Sequence, residues 1–449
     1  MNLESIKTFI LIVLVCISLI FTMRIWNFSP GTFEAEDAPS SRQTSIGGQK
    51  FTVKDVIMPN QMIFHKYDNH YQLAVKDSEL ILYKEMQQWV IQQFGAISIQ
   101  EDRLHFDEPF LELTFPTELP IEIVSKLFRV SDNEDFAGLE FQFDRMYFVP
   151  NDDAEPLVKV TFASSKHNQT LSGSIYVQET NPYRDLLTYI ENDEALVELM
   201  PVEIKDGKIT YLPSEELKID SQYFVLNDIA DMPLINMLFQ DPAAVTSSSG
   251  YFTDGARKLE IHNLYNGKKY MEYVNPISNN SMTVSTNELI NQSINYINNH
   301  DGWTDNFAML NLDKSDMSID FQLLVNGYPI LDGLGNLHLT MNNKDAIEYN
   351  RPLINLNTPL DLYEGETDGL ASGNVLITYI NSDHSTISMN QIEDIRVGYR
   401  VIDVDEEVEN NEGSLLQPRE GLLLEPSWYV KVNGAWRVVN IDTSEQGGV

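Results

Sequence analysis

Ser427–Val439 reads SWYVKVNGAWRVV, and its centre decides the class of fold. Asn433-Gly434 stands between two alternating runs. That pattern predicts a β-hairpin closed by a two-residue type I′ turn, because both turn positions need positive φ angles. A loop of this length sets the register. Tyr429, Lys431, Trp436 and Val438 share one face; Trp428, Val430, Val432, Ala435, Arg437 and Val439 share the other. The chain therefore ends in an antiparallel sheet.

Strand-like runs recur upstream. They include LEFQFDRMYFVP (Leu139–Pro150), LVKVTFA (Leu157–Ala163), SGSIYV (Ser172–Val177), DMSIDFQLLVNGYPILD (Asp316–Asp332), NLHLTMNN (Asn336–Asn343), AIEYNRPLINL (Ala346–Leu356) and IRVGYRVIDV (Ile395–Val404). Helical periods interrupt them. Asp77–Gly95 predicts a helix capped by Asp77 and ended by Gly95, with Leu82, Met86, Trp89, Val90 and Phe94 on one face. Asn181-Pro182 opens a second through Leu186, Leu187 and Ile190. Ser285 and Glu288 have capping-box spacing ahead of a buried stripe of Leu289, Ile290, Ile294 and Ile297. Helices and strands come without regular βαβ spacing, so the class is α+β, with mostly antiparallel sheets packed by helices.

The amino end differs. Thr8–Phe28 is apolar except for Arg24 and Asn27. As a helix it is roughly 30 Å long, enough to cross a bilayer core. No small-residue cleavage pattern follows, and Cys16 lies mid-run behind Leu14-Val15, where a lipoprotein signal would want a small neighbour. The reading is an uncleaved signal-anchor with its amino terminus in the cytoplasm. Ser18 and Thr22 are four apart and share a helix face that Leu11 and Val15 continue, a small-xxx-small surface suited to packing against another membrane helix. The expected organisation is a cytoplasmic tail at 1–7, the anchor at 8–28, a flexible acidic stalk at 29–50, an α+β domain at 51–200, a central domain at 201–281 and a C-terminal α+β domain at 282–449.

Charge limits function. The chain has 67 acidic and 30 basic residues, a net charge of −37, and such a surface repels nucleic acid. Cys16 is the only cysteine, so no disulfide framework exists. The eight histidines form no H-E-x-x-H motif, and neither a G-x-S-x-G elbow nor a P-loop is present. His300-Asp301 fits a helix end better than a catalytic dyad. Asn311–Gln322 lacks the glycine and terminal glutamate of a calcium loop. Glu215-Glu216 and the serines of VTSSSG (Val245–Gly250) read as surface. Arg257, Lys258, Lys268 and Lys269 gather several of the few cations, a possible basic patch for an acidic partner. No catalytic, cofactor or metal residues are assigned.

Several segments match a known pattern: RIWNFSP closing the anchor, YLPSEEL and MLFQDPAAVTSSSG in the middle, LVNGYP (Leu324–Pro329), and PSWY (Pro426–Tyr429). In this order the chain resembles the YycH (WalH) family of low-GC Gram-positive bacteria along nearly its whole length. The resemblance implies a non-enzymatic, membrane-anchored regulator with an extracytoplasmic multidomain part. It implies partnership with the sensor kinase WalK (YycG) of the WalK/WalR (YycG/YycF) system and with a companion, YycI, through membrane helices, and hence control of cell-wall metabolism. An anchored cell-wall hydrolase fits less well, because the catalytic motifs are absent; a ligand-binding ectodomain relaying a wall signal is compatible with the regulator, and the sequence does not separate the two.

If the anchor is retained, mass spectrometry of the membrane fraction will find the residues before Lys7 still joined to the chain. A mature amino terminus near residue 30 on soluble protein would contradict it.

Overall fold

The computed structural model describes residues 45–441, apart from 101–103, 133, 135, 137, 152–156, 177–181, 192–194, 265–267, 277–283, 343–344, 361–368, 384 and 403–420. The anchor expected at 8–28 and its face of Leu11, Val15, Ser18 and Thr22 lie outside the described residues. Among the described residues no helix is long and apolar enough to cross a membrane.

Three sheets carry the fold. In spatial order the first runs Ile209–Pro213, Leu196–Glu203, Asn69–Leu73, Gln61–Lys66, Phe110–Pro120, Gln142–Asn151, Leu157–Ser164, Gln169–Tyr176, Val90–Gln92, Arg129–Val130. The second runs Ile354–Leu360, Gln222–Asp228, Gly421–Val432, Ile392–Ile402, with Ala435–Val439 also on Gly421–Val432. The third runs Thr246–Ser248, Tyr251–Thr253, Lys258–Asn263, Lys269–Val274, Asp345–Pro352, Asn336–Asn342, Ser318–Val325, Phe307–Asp313. Among the described strands only Val90–Gln92 and Arg129–Val130 pair in parallel. The α+β class with antiparallel sheets is therefore observed.

Residues 200 and 201 lie within one strand, and the first sheet continues to Pro213. Sheet membership thus follows strand pairing and cuts across the sequence spans. The hairpin formed by Leu196–Glu203 and Ile209–Pro213 also packs outward. Its Val202, Ile204 and Leu212 join Leu376 and Ile380 of the helix Gly373–Ile380 and Trp428, Val430 and Val432 in one buried cluster. Gly373 allows the approach: a Cβ there would stand 2.6 Å from that of Leu212.

Local signals read from sequence differ in how they fared. The helix Thr286–Asn299 has the capping box at Ser285 and Glu288, and Leu289, Ile290, Ile294 and Ile297 are buried. The terminal hairpin has the expected register, Val432 opposite Ala435 and Trp428 opposite Val439. The helix expected over Asp77–Gly95 is instead Lys76–Met86, with Val75 at its cap. After Met86 the chain turns. Trp89 enters the core, and Val90–Gln92 pairs with strands on both sides, so long-range pairing outweighs the local 3.6-residue period. Residues 45–50, the end of the expected stalk, are held: the Ile46 and Gly48 amides donate to the Asp301 carboxylate at 3.0 and 3.2 Å, and Gln49 pairs with Trp303.

Asn433 and Gly434 have φ of 52° and 77°, as a type I′ turn needs, and a Cβ at Gly434 would meet nothing within 4 Å. Gly434→Val therefore isolates backbone strain. It should lower stability by about 1 kcal/mol or more in urea melts; unchanged stability would mean the turn relaxes to another type.

Candidate functional site

The three sheets meet around a cavity of about 110 Å³. Each wall has a local cause. The helix Lys76–Met86 brings Lys76 and Glu79 to one face, three residues apart, where they form an ion pair. Glu79 is buried, which pushes its carboxyl up against the pull of Lys76. From the third sheet, Asn326 and Gly327 turn at φ of 50° and 77° and return the chain as Tyr328-Pro329. A Cβ on Gly327 would come 2.7 Å from Lys76 Cγ, so the turn lies directly on that helix. The second sheet adds Val397 and Trp428, whose indole donates to the Ala371 carbonyl at 2.7 Å.

The lining is mainly apolar, with Met62, Leu80, Met309 and Leu324 among its members. Several polar groups on the wall are already engaged. Gln322 donates to the Ile330 carbonyl, and Arg396 is held by Asp394 at 2.8 Å and lies over the Trp436 ring. An apolar cavity of about 150 Å³ can hold benzene, so this one suits a small apolar molecule or a few waters. Its geometry favours binding and packing over bond-breaking chemistry. The LVNGYP and PSWY segments, far apart in sequence, both supply lining residues: Leu324, Gly327, Tyr328, Pro329 and Trp428.

A second cluster escaped sequence reasoning. Inside the first sheet, His65 Nε2 lies 2.9 Å from Glu112 Oε2, and Arg145 bonds the other carboxylate oxygen. His65 Nδ1 lies 2.9 Å from His70 Nδ1, and Phe110 stacks on the His65 ring. Burial alone would raise the Glu112 carboxyl; Arg145 and His65 outweigh it and hold it at about 2. Burial and then His65 lower His70. The only sequence signal was a histidine inside the apolar run QMIFHK. Glu112 lies 47 residues on, and the Arg145 that holds it a further 33.

The other singled-out residues are accounted for locally. His300 Nδ1 bonds the Tyr296 carbonyl at 2.7 Å, while Asp301 turns to the amides of Ile46 and Gly48, so the two form no dyad. Asp313 accepts from the Ser315 and Asp316 amides and so caps a turn. Glu215 and Glu216 are exposed, and Ser247 and Ser248 pair in an edge hairpin. The basic patch dissolves into pairs. Arg257 meets Asp254 at 3.1 Å, Lys258 meets Glu260 at 2.8 Å and Lys269 meets Asp231 at 4.0 Å, while Lys268 is buried.

The fold is an α+β arrangement of three mostly antiparallel sheets closed around one cavity. Comparison with known proteins gives it a family. The YycH protein N-terminal domain matches residues 4–191, and the YycH protein C-terminal domain matches residues 208–446. The chain belongs to the YycH family. It is 26% identical over 462 residues to the Two-component system WalR/WalK regulatory protein YycH of Bacillus subtilis (strain 168), covering 97% of this chain and 96% of that one. The crystal structure of YycH from Bacillus subtilis shares the fold, with a TM-score of 0.70 at 20% identity, covering 89% of this chain and all of that one.

The Glu112 pair carries a pH signature. Its folded carboxyl ionises below the ordinary 4.5, so its stabilisation is present above that value and is lost as pH falls toward about 2. Glu112→Gln leaves Arg145 without its partner and should cost about 3 kcal/mol at pH 7, a gap that narrows as pH falls through that window. Parallel stability curves for the two proteins between pH 5 and pH 2 would contradict this (the endpoints are roughly the span of the linkage effect).

Proposed function

We propose that this protein is a non-enzymatic regulator of a WalR/WalK-type two-component system, held at the cell membrane by residues 8–28 with its sheets outside. It acts on the sensor kinase together with a YycI-like companion. What supports this reading is the match over 97% of the chain to a protein named as a WalR/WalK regulatory protein. Membrane-helix contact falls to the face of Leu11, Val15, Ser18 and Thr22. In lipid, helix association relies on close packing and hydrogen bonds, and small hydroxyl side chains serve both. Residues 45–50 form a strap on the body of sheets. It is bound to Asp301 at the end of the helix Thr286–Asn299, and Phe51 exchanges hydrogen bonds with Asn298 at 2.9 and 2.8 Å. The cavity favours a second reading, in which a small apolar ligand sets the relation of the three sheets and so the output.

Capture of the full chain with the kinase and the companion, scored beside response-regulator phosphorylation, tests the proposal. Ser18→Leu with Thr22→Leu should weaken capture several-fold at unchanged membrane level, whereas Val13→Leu with Ile17→Leu should not. Unchanged capture and unchanged kinase output after replacing the whole apolar segment by polyleucine would sink the helix role. No effect of deleting the protein on kinase output would sink the regulator.

A further inference from the structure

The third sheet presents an unassigned donor set on its polar face. Glu260 and His262 are two apart on the strand Lys258–Asn263 and so point to one side. Glu272, on the next strand, stands directly opposite Glu260. The three donor atoms all lie within 4.8 Å of one another. His262 Nε2 is 3.5 Å from Glu272 Oε2 and 3.8 Å from Glu260 Oε2.

Those distances are informative. They exceed a hydrogen bond. They approach the edge of a tetrahedron around zinc, roughly 3.3 Å when the bonds are about 2.0 Å. The more buried histidines contrast with this exposed one: His65, His300 and His338 each have a partner at 2.9, 2.7 and 2.7 Å. Among the described residues no hydrogen bond to the His262 ring is found. Two glutamates directly opposite each other also repel, a cost that a shared cation removes. Lys258 holds the other oxygen of Glu260 at 2.8 Å, which fixes that side chain and leaves Oε2 facing the imidazole.

A second observation points the same way. His262 and Glu272 line an open pocket with Asn336, whose Oδ1 is buried without a hydrogen-bond partner. Asn350, opposite Glu272 on the following strand, has the same orphaned Oδ1. Buried oxygens of this kind are normally satisfied, by water or an ion if not by protein. They flank the donor set on the side away from Lys258.

We propose that Glu260, His262 and Glu272 form a surface site for a divalent transition cation of the zinc class, with a fourth position open to water. One imidazole and two carboxylates suit zinc; calcium prefers six to eight oxygens. Strand register sets the site in advance, so the cation binds a formed sheet and folding does not wait for it. A bound cation takes the neutral imidazole, so protons compete with it for the site.

The test is titration of the full chain in detergent with Zn²⁺ against a chromophoric chelator, and with Co²⁺ read by its visible absorption. The expected result is one site tighter than the general binding of so acidic a surface, with a Co²⁺ band of low coordination number. His262→Ala and Glu272→Gln should each weaken it at least tenfold. His167→Ala, at another surface histidine near a glutamate, should leave it unchanged. Equal zinc affinity in His262→Ala overturns the proposal. So does an imidazole resonance of His262 that titrates with pH but does not move with zinc, which would make the trio an imidazolium ion pair only.

Discussion

The structure depends on one close approach, where the Tyr328-Pro329 turn of the third sheet lies against the strand Ile392–Ile402 of the second. Gly398 permits it: a Cβ there would stand 2.7 Å from the Pro329 carbonyl oxygen. Ile330 then bridges Tyr399 in parallel, and the Tyr399 hydroxyl donates to the Asp220 carbonyl at 3.0 Å. Tyr429 donates back to the Tyr399 carbonyl at 3.2 Å. Those contacts tie the turn, the edge of the second sheet and the linker after the first sheet into one knot of buried side chains. Lys76 over Gly327 adds the helix of the first sheet. The cavity is the space this knot leaves.

The knot also gives two short segments their structural roles. LVNGYP supplies a turn with positive φ at both centre residues, which Asn-Gly adopts with little strain, and then the proline whose carbonyl meets Gly398. PSWY supplies Trp428 to the cavity wall and Tyr429 to the hydrogen bond on Tyr399. Each is constrained by neighbours from another sheet, so substitution at one side is felt at the other. A closed junction of this sort suits a protein that relays a change of arrangement. The strap on Asp301 enters the same body through the helix Thr286–Asn299.

What the sequence made legible follows from range. The Asn433-Gly434 turn and the Ser285–Glu288 capping box are set by residues within four positions, and both were readable. The class of fold followed from them. The end of the Lys76–Met86 helix was not readable, because Val90–Gln92 becomes a strand only through partners at Arg129–Val130 and Ile175. The same holds for the sites. His65 with Glu112, and His262 with Glu272, meet by strand register alone. The basic patch failed for a related reason, since Asp254 and Glu260 neutralise it within a few residues while Asp231 reaches it from a distant helix.

The central claim is that three sheets behave as one body closed at the junction. Native-state hydrogen exchange on the full chain tests it most directly. The account predicts that amides of Met62–Phe64, Leu323–Val325, Ile395–Tyr399 and Trp428–Val430 open together, with one common free energy near that of global unfolding. Exchange of the first-sheet amides at a separate, lower free energy, with the other two sheets still protected, would contradict it.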